Sequence, residues 1–81
     1  MKLPRGLSAD ELAWALRRYG YEVTRQTGSH IRLSTNTNGE HHITILDHKN
    51  LKVGTLSSIL AEAANHLDKS REELIEELFG V

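Results

Sequence analysis

The stretches YEVTRQ, HIRLST and HHITIL, at residues 21–26, 30–35 and 41–46, are rich in β-branched residues and separated by little more than the turns TGS and NTNG. That spacing constrains the chain more than any other feature, because segments so joined read as neighbouring antiparallel strands of one sheet. The second turn also selects a register. A two-residue Asn38-Gly39 hairpin would put Ile31 and Leu33 on the face opposite Ile43 and Ile45, splitting the core. A three-residue loop, Thr37-Asn38-Gly39 with Gly39 left-handed, instead pairs Leu33 with Ile43 and Ile31 with Ile45. The bulged hairpin is therefore expected, with Val23, Ile31, Leu33, Ile43 and Ile45 on one apolar face. The opposite face then carries Arg32, Ser34, His42 and Thr44, with His30 at its edge, and stays open to solvent.

Both flanks supply helices to cover the apolar face. Ser8 with Glu11 three residues on makes a capping box, Leu7 is placed to staple onto Leu12, and Leu12, Leu16 and Tyr19 form a buried stripe that ends at Gly20. Trp14 lies well round from that stripe beside Arg18. It reads as a rim residue packing on the C-terminal helix, with stacking on nucleic acid as the other reading. After the third strand a loop with two lysines leads to Gly54-Thr55, read as a helix start with Thr55 as N-cap, and Leu56, Ile59, Leu60, Ala63 and Leu67 follow at helical spacing. Ser70 and Glu73 form a second capping box before Leu74, Ile75, Leu78 and Phe79. The expected class is α+β: an α-β-β-β-α order, a three-stranded antiparallel sheet with helices on one face, and a short extra C-terminal helix at about 70–79. A chain of 81 residues has room for one such domain, 1–81, and shows no repeat or linker.

With no cysteine, the chain has neither disulfides nor a thiolate metal site, which fits a reducing cytoplasm. The N-terminus has no apolar stretch long enough for a signal peptide or membrane span, so a soluble, unexported protein is expected. The charge is uneven. Residues 1–52 hold eight Lys and Arg against five Asp and Glu, whereas residues 53–81 hold two against six. This suggests a basic working face and a solvated acidic end.

Five histidines raise the question of a metal, and His30, His41 and His42 are the only ones near enough to consider. Adjacent strand residues point to opposite faces, so His41 and His42 cannot share an ion without a bulge, and no HExxH pattern is present. Ser29 has no GxSxG elbow around it, and neither a P-loop nor GxGxxG occurs. What remains is an acid-base histidine among cations. An imidazole with a pKa of about 6.5 both accepts and returns a proton near neutral pH. Arg25, Arg32, Lys49 and Lys52 are available to hold phosphates, which is the combination RNA transesterification needs. From the residues alone, His30 reads either as a turn-stabilising residue or as a proton carrier. His48 is the first candidate for a second acid or base, or else a loop histidine capping the turn before the second helix.

The segment LPRGLSADELAWALRRYGYEVTRQTGSHIRL, followed by ITILDHKNLKVGTLSSIL, resembles the HicA (YcfA-like) family of mRNA interferase toxins. The resemblance runs from about Leu3 to Leu60. Its most specific pieces are Gly28-Ser29-His30 at the second strand and Leu51-Lys52-Val53-Gly54-Thr55-Leu56 at the second helix. It implies a fold like that of double-stranded-RNA-binding domains, with a shared core at about 3–67, and cleavage of mRNA by the toxin of a type II module active in the stress response. It also implies neutralisation by a HicB antitoxin, with an oligomer in the toxin-antitoxin complex, and a catalytic role for His30. The expectation is a metal-independent, cofactor-free endoribonuclease with His30 catalytic and Arg25, Gly28, Ser29, Arg32, Lys49 and Lys52 binding RNA. A non-catalytic RNA-binding module of the same fold is the alternative.

Overall fold

The computed structural model describes residues 3–80. Lys2, counted above in the basic half, lies outside them. Helix α1 (Ala9–Leu16) runs into a 3₁₀ turn at Arg17–Tyr19, and three strands follow: β1 (Glu22–Thr27), β2 (His30–Thr35) and β3 (His41–Leu46). Helices α2 (Val53–His66) and α3 (Arg71–Phe79) complete the chain. The sheet is antiparallel in the order β1-β2-β3. This is the expected α+β layout with its additional helix.

Local chemistry explains the helix ends. Ser8 accepts from the Glu11 amide at 3.1 Å while the Glu11 carboxylate accepts from the Ser8 amide at 3.0 Å, and Ser70 and Glu73 repeat the arrangement at α3. Helix α2 differs from expectation. It starts one turn earlier, at Val53, with Lys52 as an N-cap lacking a side-chain bond. Gly54 and Thr55 therefore lie inside its first turn, and Thr55 caps nothing. The Leu51 amide, bonded to the Leu7 carbonyl at 2.8 Å, and the buried Leu51 side chain anchor the chain just before this start.

The core gathers Leu12 and Leu16 of α1, Ile31 and Leu33 of β2, Ile43 and Ile45 of β3, the predicted stripe of α2, and Leu74 and Ile75 of α3. Leu33 pairs with Ile43 and Ile31 with Ile45, the predicted register. The turn itself is wider than predicted. The ladder stops at Thr35 and His41, and both Asn38 (φ 58°) and Gly39 (φ 101°) are left-handed. Asn38 donates to the His66 carbonyl at 2.8 Å, and His66 Nε2 donates to the carbonyls of Thr37 and Gly39 at 2.9 and 3.0 Å. Tying the turn to the end of α2 takes precedence over extending the ladder by one pair.

Val23 departs from expectation. It pairs with Leu33 on the apolar side but remains 52% exposed, as every residue of β1 is exposed, because Val23 borders an open groove beside Ala13, Trp14 and Arg17 at the foot of α1 instead of being sealed under it. Tyr21, just before β1, takes the core position instead. It is fully buried and shares a hydrogen bond of 2.8 Å with His41 Nδ1. Gly20 allows the chain to turn there. Its φ is 83°, and an added Cβ would stand 2.8 Å from the hydroxyls of Thr35 and Thr37.

The acidic end also does more than solvate. Glu77 accepts from the Tyr19 hydroxyl and from Lys69 Nζ (3.2 Å), and its carbonyl accepts from Arg18, so it holds α3 against the end of α1.

Candidate active site

The Gly28-Ser29 turn joins β1 to β2 as a two-residue hairpin closed by the pair Thr27 and His30. Gly28 has φ 56° at its first central position, the residue and conformation a type II′ turn requires. The Ser29 carbonyl accepts from the Asp47 amide at 2.7 Å, so the tip of the hairpin is braced by the loop after β3. This bracing fixes the backbone of His30 while leaving its side chain exposed.

Strand β1 contains a bulge. Val23 pairs with Leu33, yet the next pair is Arg25 with Arg32, leaving Thr24 as an extra residue. Strict alternation would put Arg25 on the same side as Val23. The bulge reverses the parity and brings Arg25 onto the open face directly across from Arg32. Like charges at directly opposed positions cost a few tenths of a kcal/mol, up to roughly 1 kcal/mol. The pair is therefore tolerated at some expense in stability and forms a site where an anion would be welcome. Arg25, Thr27, His30, Arg32 and Thr44 together line one shallow depression.

The remaining predicted site residues are placed elsewhere. His48, Lys49 and Lys52 lie in the exposed connection from β3 to α2, and none of them lines this depression. The connection is held by backbone bonds: the His48 carbonyl accepts from the Ala9 amide at 2.9 Å, and the His48 amide donates to the Leu46 carbonyl at 2.9 Å.

The histidines fall into two groups. His41, His42 and His66 are engaged through their ring nitrogens, whereas the rings of His30 and His48 make no hydrogen bond among the described residues. His41 and His42 face opposite sides of the sheet, as alternation requires. The His41 ring stacks on His66 with centroids 4.3 Å apart. Burial, and then the neighbouring charge of His66, hold its pKa below the ordinary histidine value, with Glu62 opposing. His42 lies on the open face, with Nδ1 2.6 Å from Ser34 Oγ and Nε2 2.8 Å from Glu40. Its network escaped sequence reasoning because Glu40 sits in the turn and the bulged Thr24 falls outside simple alternation. Among the described residues no group of three or more His, Cys, Asp or Glu side chains is placed to hold a metal ion.

Trp14 does not pack down on the C-terminal helix. It is 72% exposed, with Arg17, not Arg18, over its ring at 5.0 Å, and it borders a groove shared with Leu78 and Phe79. No helix among the described residues is long and apolar enough to cross a membrane.

Residues 9–64 match a family model described as the HicA toxin of bacterial toxin-antitoxin. No curated protein and no solved structure matches the chain. The family match covers the first helix, the whole sheet with its Gly28-Ser29-His30 turn, and nearly all of α2. With more than half of its length matched, the chain belongs to the HicA family of bacterial toxin-antitoxin toxins.

Proposed function

We propose that this toxin is an endoribonuclease that cleaves mRNA in the cytoplasm without a metal or other cofactor, and that a HicB-type antitoxin neutralises it. One observation carries the reading: an exposed, unengaged imidazole, His30, shares a depression with two arginines and no carboxylate. An imidazole so placed has protons to exchange, and the guanidiniums offer forked donors that match the non-bridging oxygens of a phosphodiester.

In the proposed step the ribose 2′-oxygen attacks the adjacent phosphorus and the bond from phosphorus to the 5′-oxygen breaks. The products are a 2′,3′-cyclic phosphate and a 5′-hydroxyl. His30 takes the proton of the 2′-hydroxyl or delivers one to the departing oxygen. Arg25 and Arg32 neutralise the charge that develops on the phosphate, and amides of the Gly28-Ser29 turn add donors. Lys49 and Lys52 attract the RNA backbone from beyond the depression, and His48 is the candidate for the second proton transfer.

Incubating the purified protein with an end-labelled transcript in excess chelator tests this reading. Shortening of the transcript is the expected result. An intact transcript that is nevertheless retained by the protein would favour a binding module, and cleavage restored only by a divalent ion would contradict the metal-free step.

A further inference from the structure

A second depression, of about 540 Å³, lies beside the first on the open face of the sheet. It shares Arg25 and Arg32 with the His30 depression and adds Glu22, Thr24, Ser34, Glu40 and His42. The two differ in charge. Around His30 the arginines face no carboxylate, whereas here two carboxylates offset them. A phosphate is favoured in the first and repelled by Glu22 and Glu40 in the second. A neutral, hydrogen-bonding group suits the second, whose volume lies within the usual range for small-ligand sites.

The polar groups of this depression are already ordered. Thr24 Oγ1 lies 2.8 Å from Ser34 Oγ, Ser34 Oγ lies 2.6 Å from His42 Nδ1, and His42 Nε2 lies 2.8 Å from Glu40 Oε2. His42 Nε2–H donates to Glu40, and the Ser34 hydroxyl links His42 Nδ1 to Thr24, whose own hydroxyl also reaches the Arg32 carbonyl at 3.4 Å. The other oxygen of Glu40 and the Glu22 carboxylate remain as acceptors. Distance separates this network from the proton transfer. Ser34 is four residues along β2 from His30, about 13 Å at the rise of a strand, too far for both groups to act on one phosphate.

We propose that this depression is a nucleoside subsite that takes the base of a nucleotide flanking the cut, and that its carboxylates select a base with an exocyclic amino group over uracil. The inference rests on the RNA-cleaving reading above. Cytosine offers an amino group where uracil offers a carbonyl, and a carboxylate can only accept.

The test uses the full chain with His30→Ala, to slow cutting, and measures fluorescence anisotropy with labelled oligo(C) and oligo(U) of equal length at one salt concentration. Oligo(C) should bind about fivefold or more tighter, the effect of one hydrogen bond to a charged group discounted for exposure. Adding Glu22→Gln and Glu40→Gln together should bring the two affinities together, because an amide both accepts and donates. Equal binding before that change, or a preference that survives it, overturns the subsite and leaves the cleavage reading standing. Failure to bind either oligomer overturns both.

Discussion

The His30→Ala protein is expected to fold as the wild type does and to cleave RNA about 10²–10⁴-fold more slowly, the usual contribution of a positioned acid-base group. Growth inhibition on expression should be lost with it. The expectation follows from where the ring stands. It is exposed and, among the described residues, bonded to nothing, so its removal leaves no cavity and no orphaned polar partner. A surface change of that kind moves stability by roughly 0.5 kcal/mol or less. The paired measurements are initial cleavage rate and thermal unfolding midpoint. An unchanged midpoint with a collapsed rate is the predicted pattern. Wild-type activity in the variant would leave the imidazole without a role.

The largest effect on stability is expected at Tyr21. Its ring is fully buried, and deleting a buried aromatic ring to Ala costs about 3–5 kcal/mol. A domain of 81 residues has roughly 4–12 kcal/mol in total. Tyr21→Ala should therefore leave a substantial unfolded population at growth temperature, read as a large fall in the urea midpoint. Tyr21→Phe keeps the ring and removes only the bond to His41, about 1 kcal/mol. The phenol also carries a pH signature. Burial first, and then the Glu62 carboxylate, push its pKa from 10.0 to about 12. The neutral phenol is favoured in the fold, so its contribution is present below pH 10 and is lost as pH rises through 12. The wild type should weaken across that window, and Tyr21→Phe should lack this component. A Tyr21→Ala protein as stable as the wild type would contradict the account of the core.

Where the sequence carried a strong periodic or capping signal, the fold was legible in it. The Ser8 and Ser70 capping boxes form, the α2 stripe is buried, and the demand that Leu33 meet Ile43 selects the observed register. Legibility failed where tertiary contacts decide. Alternation cannot reveal that a groove stays open between α1 and β1, so Val23 seemed a core residue and Tyr21 did not. Nor can local capping rules show that Leu51 anchors the start of α2 upstream of Thr55. In the candidate site, Arg25, His30 and Arg32 come together, but only because of a bulge that no turn residue announces. Lys49, Lys52 and His48 were grouped with them by charge and chemistry alone, and the structure sets them in a separate loop.

That His30 moves a proton in a 2′-hydroxyl attack on phosphorus is tested most directly by the ends of the RNA fragments. Products carrying a 2′,3′-cyclic phosphate, or the 3′-phosphate formed by its opening, opposite a 5′-hydroxyl are the predicted result. Fragments ending in a 3′-hydroxyl and a 5′-phosphate would mean that water had attacked in place of the ribose, and would contradict the mechanism.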